Sequence, residues 1–182
     1  MRRLPLIAMA SLLTLASPAQ GQMHGGHHGG HAPASDPYAG FERRPIKALS
    51  DQQIADLRAG RGMGLALPAE LNGYPGPLHV LDMADALALT EDQRRRTRAL
   101  FEAMKSETIA LGERIIGEEA ALDRLFAERR ITPDALSAAT ARIGNLQGEL
   151  RAAHLRYHLA MHGLLSPDQV ARYDRQRGYA RP

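Results

Sequence analysis

The sequence predicts an all-α fold, a long antiparallel helical hairpin with short flanking helices, and three observations carry that expectation. Its 182 residues include 30 Ala and 25 Leu but only 8 Ile and 2 Val, so strong helix formers dominate and the β-branched residues that favour strands are scarce. No proline occurs between Thr90 and Pro133, and apolar residues keep a helical period through Phe126. A second periodic segment begins at Pro133 after a connection of only a few residues at 129–132, which forces the two helices to fold back on each other. Sandwiches, barrels and doubly wound sheets are excluded on composition, and one domain suits the length.

The elements follow in order. Residues 1–21 (MRRLPLIAMASLLTLASPAQG) have a positive start at Arg2 and Arg3, an apolar run from Leu4 to Ala16 and then small residues. That is the anatomy of a secretory signal peptide, and the run is too short to span a membrane. Cleavage after Ala19 or after Gly21 fits equally, and the expected destination is a bacterial periplasm. Removing the segment takes away two Arg and no acid, so the 23 basic residues fall to 21 against 20 acidic ones. The pI near 9.6 therefore gives no reason to expect nucleic acid as a partner, which needs a clustered basic face.

Residues 22–47 are rich in Gly, His and Pro and read as a flexible tail. Residues 48–77 combine a short helix with a linker. Ser50 caps that helix, Gln53 closes the capping box and Gly60 stops it, while GRGMGLALPAELNGYPGP carries too much Gly and Pro for a regular element. The helical domain is expected over 78–178, opening with a short helix from Leu78 to Ala88. The first long helix then starts at Leu89-Thr90-Glu91-Asp92-Gln93: Thr90 caps, Gln93 completes the box and two acids sit at the positive end of the dipole. Phe101, Met104, Thr108, Leu111, Ile115, Glu118, Leu122 and Leu125 form its stripe. Thr132 caps the second long helix with Pro133 at its first position, and Leu136, Ile143, Leu146, Leu150, Tyr157, Met161 and Leu165 share one face. Leu165-Ser166-Pro167-Asp168-Gln169 opens a last short helix ending near Gly178.

A two-helix hairpin is thin and needs cover for its stripes. Ile109 and Ile116 lie off the main stripe. With Phe101 they offer a dimer seam or a client-binding face, unless the short flanking helices pack there.

Leu89, Thr90 and Gln93 match an LTxxQ motif, and Leu165, Ser166 and Gln169 repeat it with Ser for Thr. Two such motifs bracketing a long hairpin in an exported helical chain resemble the Spy/CpxP family of periplasmic chaperones and stress modulators, which includes heavy-metal proteins of the CnrX and ZraP kinds. The likeness covers about residues 78–178. It implies a cradle-shaped homodimer that binds unfolded or envelope proteins without ATP, with the motifs at the hairpin ends and an inner-membrane sensor as a further partner. Capping alone accounts for Thr90, Gln93, Ser166 and Gln169 without assigning them a function.

With no cysteine in the chain, thiol chemistry and Cys-ligated metal are excluded, leaving His, Met and carboxylates as metal ligands. His24, His27, His28 and His31 stand in the tail between glycine pairs, which lets imidazoles converge on Zn, Cu or Ni without a preset geometry. Cleavage after Gly21 would leave Gln22-Met23-His24 at the terminus, where a free amine and a third-position His can wrap Cu(II) or Ni(II) in a square plane. Cyclisation of Gln22, or a start at Gln20, removes that site, and mass spectrometry of the mature terminus reads it directly. His154, His158 and His162 recur every four residues on the second long helix. Leu155 stands where a zinc protease would need Glu. Folding the hairpin about residue 131 sets His154 near Glu107 or Thr108 and His158 near Met104. A site of His154, His158 and Glu107 with Met104 nearby stands beside the plainer expectation of a core histidine paired to Glu107 with two solvated neighbours. No nucleophile, base and orienting acid group together, so a binding protein is expected rather than an enzyme, with no cofactor required beyond such an ion. Chaperone or stress adaptor and metal sensor or buffer are the two functions in view.

Overall fold

In the computed structural model, residues 37–179 are described, and all regular structure among them is helical. A 3-10 turn at Phe41–Arg43 precedes α1 (Asp51–Arg58), α2 (Leu67–Glu70), α3 (Pro77–Asp82), α4 (Glu91–Ala127), α5 (Pro133–Leu164) and α6 (Pro167–Arg177). No helix among the described residues is long and apolar enough to cross a membrane.

The expected capping chemistry sets the boundaries. Ser50, Thr90 and Ser166 each accept from the backbone N–H three residues on, and Gln53, Gln93 and Gln169 return the bond to the cap's own N–H. Thr132 caps α5 through the Ala135 N–H, with Pro133 at the first helical position. The 37 residues of α4 span about 55 Å at 1.5 Å each. Three cross-hairpin pairs, Arg156 with Glu107, Arg114 with Glu149 and Arg142 with Glu118, follow the register that a fold about residue 131 dictates. Glu118, an acid in the predicted stripe, is half-buried and takes the Arg142 guanidinium at 2.9 Å.

Two apolar clusters hold the fold. In the first, Leu111, Ile115 and Ile116 of α4 and Leu146, Leu150 and Ala153 of α5 pack with Leu57 of α1 and with Ile46 and Leu49 ahead of it. Ile116 is thus buried beneath α1 and its approach, and Ile109 is half-buried with its side chain beside Gly60. The face offered as a dimer seam or client surface is therefore covered within the chain at these positions, because α1 brings Leu57 down onto it. In the second cluster Val80, Ala84, Leu87 and Leu89 meet Met161, Leu165 and Tyr173.

Three local expectations shift. Residues 37–47, expected within the tail, include turns whose Ile46 is buried, and Lys47 reaches Asp123 on α4 at 3.2 Å. The linker holds a single helical turn, α2, started by Pro68. The helix expected over Leu78–Ala88 ends at Asp82 and gives way to turns: Leu87 N–H bonds Met83 O and Leu89 N–H bonds Ala84 O, with Ala88 left-handed at φ 50°. Leaving helical geometry there lets Leu87 and Leu89 both point inward, which a continuous helix would not allow two residues apart.

Candidate functional site

The two LTxxQ-type motifs meet. Gln93 Nε2 donates to Gln169 Oε1 at 2.9 Å and Gln169 Nε2 donates to Gln93 Oε1 at 3.0 Å, closing an amide ring between the starts of α4 and α6. Each amide does more. Gln93 Nε2 also donates to Leu164 O and Gln169 Nε2 to Leu87 O, while each Oε1 serves its own capping box. Leu89 and Leu165 are buried in the second apolar cluster. The motifs thus form one partly buried joint at one end of the hairpin, which capping alone did not foretell.

Between the two apolar clusters lies a cleft of about 470 Å³. Its rim is the strap Ala59–Gly64, which turns through left-handed backbone at Gly60, Met63 and Gly64, and its walls come from α2, α3, α4 and α5. Met104, His154 and His158 of the expected site line it, as does Phe101. His154 is 3% exposed, and its Nε2 has no hydrogen-bond partner. The strap lies over the imidazole at Gly62, where a Cβ would sit in ordinary contact, 3.9 Å from the His154 ring. His158 is also buried, and its Nδ1 lies 2.7 Å from the Tyr74 carbonyl. A carbonyl only accepts, so that nitrogen carries the proton and leaves the lone pair on Nε2.

The remaining members of the expected site lie elsewhere. Glu107 leaves α4 on the opposite side of the seam, where it accepts from Arg156 and from the Tyr157 hydroxyl at 3.0 Å. It makes no pair with His154. His162 is exposed and stacks on Tyr74 with ring centres 4.6 Å apart. His24, His27, His28 and His31 lie outside the described residues. Among the described residues no group of three or more His, Asp or Glu is arranged to hold a metal ion.

The carboxylate that does approach the cleft is Glu70, which sequence reading passed over inside the linker. It is buried, and it accepts from the Tyr173 hydroxyl and from Gly76 N–H at 3.2 Å. His79 Nδ1 stands at 3.2 Å, His158 Nδ1 and Arg177 at 3.7 Å. Burial by itself would raise the Glu70 carboxyl, but hydrogen bonds from His79 and Tyr173 and the positive charge of His79 and His158 outweigh it and hold it below its ordinary range. The only hint in the sequence was an acid placed among Leu67, Ala69 and Leu71.

Burial, and then the neighbouring charge of His158, push the His154 imidazole below its ordinary 6.5. Since the unfolded chain then binds the extra proton first, stability is complete above about pH 6.5 and is lost as pH falls toward the folded-state value, by about 1.4 kcal/mol per unit of depression. Thermal melts of metal-free protein between pH 7.5 and 5 should show this loss, and His154→Leu should flatten it. A separate decline, from Glu70, should begin only below about pH 4.5.

A family model described as heavy-metal resistance matches residues 65–172, from just past the strap into α6. No curated protein and no solved structure gives a match.

Proposed function

Because the chain belongs to the heavy-metal resistance family, we propose that it is an exported binding protein of the periplasm that takes up a transition-metal ion through histidine. The observation that carries this reading is the pair His154 and His158, one helical turn apart in the cleft. One has a buried nitrogen without a partner, and the other is oriented by a backbone carbonyl so that its lone pair is free. Metal-ligating histidines are held in this way, by an acceptor on the far ring nitrogen. Imidazole suits Zn, Cu and Ni, and the Met104 thioether in the same cleft favours the softer end of that range. Two imidazoles are an incomplete set, so the tail histidines His24, His27, His28 and His31 form a second, looser capture site in this reading. The protein acts by binding rather than by catalysis.

Calorimetry on the full chain tests it. With the four tail histidines changed to Ala, one Zn(II), Cu(II) or Ni(II) per chain should still bind, and adding His154→Ala and His158→Ala should weaken it at least tenfold. Unchanged affinity after those two substitutions sinks the cleft site. The cleft should also hold its ion to lower pH than the tail, because a proton competes less well for a depressed imidazole.

A second reading, an ATP-independent chaperone or stress adaptor of the Spy/CpxP type, is favoured by one further observation. Met63, Leu67 and Leu78, all lining the cleft, are large apolar side chains left 42–52% exposed. Homodimer formation, unfolded envelope clients and an inner-membrane sensor belong to this reading. Suppression of aggregation of a reduced, unfolded client without metal supports it, and suppression only with metal speaks against it.

A further inference from the structure

We propose that the cleft also takes a single-chain carboxylate amphiphile of the fatty-acid class, its chain along the apolar wall and its head between Lys105 and His154. The volume, about 470 Å³, lies within the range of small-molecule sites. One side of the lining is apolar: Leu67, Pro77, Leu78, Phe101 and Met104. Leu67 and Leu78 are half exposed, so apolar surface is left in water that a hydrocarbon chain would cover.

The charges in the lining favour an anion. Lys105 lines the cleft, and among the described residues it has no acidic partner. His154 Nε2 is buried with no hydrogen-bond partner, a group that gains most from a ligand oxygen. The one acid of the wall, Glu70, is already held by the Tyr173 hydroxyl, the Gly76 N–H and His79. A carboxylate head therefore meets a free cation and an orphan imidazole, whereas a cationic head would meet no unpaired acid. A hydrocarbon chain also suits the walls better than a polypeptide segment, whose backbone N–H and C=O groups each need a partner when buried.

Titration of the full chain with monomeric octanoate, decanoate and dodecanoate, with a chelator present, tests this independently of any metal. One ligand should bind per chain, and each added methylene should tighten binding up to about fourfold until the cleft is filled. Lys105→Met should weaken dodecanoate about three- to tenfold, and Leu78→Asp should remove the dependence on chain length. Both side chains are solvent-exposed, and a melting curve matching the parent's confirms that either variant is folded. Dodecyltrimethylammonium binding as tightly as dodecanoate overturns the proposal, as does an affinity flat in chain length or untouched by Lys105→Met. Binding to phosphatidylglycerol vesicles with none to monomeric dodecanoate overturns it too, since the surface would then be a bilayer contact.

Discussion

Gly112→Ala is expected to lower stability by about 2 kcal/mol, although the same change inside an exposed helix normally raises it by up to about 1 kcal/mol. Gly112 is the point where α1 crosses α4. A Cβ there would lie 2.4 Å from the Leu57 carbonyl oxygen and 2.9 Å from its carbon, both backbone atoms that no side-chain rotation can clear. The clash is met only by moving α1 outward, which loosens Leu57 from Leu111, Ile115 and Ile116 in the first apolar cluster. Overpacking of this kind costs about 1–3 kcal/mol before the loosened cover is counted. Gly117, also on α4, provides the control, because a Cβ there meets nothing within 4 Å. Gly117→Ala should raise the melting temperature by a few degrees while Gly112→Ala lowers it by roughly 4–8 °C. Equal gains from both substitutions would mean that α1 does not sit on α4 as described.

That contact also marks where sequence reading stops. The helix ends were legible because each is written locally: Ser50 with Gln53, Thr90 with Gln93, Thr132 with Pro133, Ser166 with Gln169. Hairpin register was legible too, since a short connection allows little freedom, and Glu107 does stand within a turn of His154 along the axis. What a register does not fix is the side of the seam from which a side chain leaves. His154 leaves toward the Gly60–Gly64 strap, whereas Glu107 leaves toward Arg156. Nor does any local signal tell Gly112 from Gly117, because the difference lies in a helix more than fifty residues away. Glu70 was missed for the same reason: its partners, Gly76, His79, His158, Tyr173 and Arg177, come from three separate segments, α3 with its cap, α5 and α6.

The paired glutamines admit the sharpest separation between a local and a tertiary role, through the sign of one substitution. If Gln169 only closed the α6 capping box, Gln169→Glu would be neutral or stabilising. Glutamate serves as well as glutamine at that position, and a negative charge suits a helix start. Gln169, however, is 9% exposed, and its Nε2 donates to both Leu87 O and Gln93 Oε1. A carboxylate has no proton to give, so at pH 7 two acceptors would lose their donor and face a buried charge. Gln93 cannot turn its amide to compensate, because its own Nε2 is bonded to Leu164 O and its Oε1 to Thr90 N–H. Gln169→Glu should therefore cost about 2–3 kcal/mol, read as a lower denaturant midpoint with little change in slope. Lowering the pH to protonate the new carboxyl should return part of that loss by restoring one donor. Gln93→Glu should behave alike, and the double variant should be worse than the sum, as two facing carboxylates repel. Gln53→Glu in α1 fixes the baseline: its side chain is exposed and bonds Ser50 of its own capping box, so the same change there should cost nothing or gain a few tenths of a kcal/mol. A cost at 93 and 169 with none at 53 assigns the second half of each motif to the joint between α4 and α6 rather than to capping.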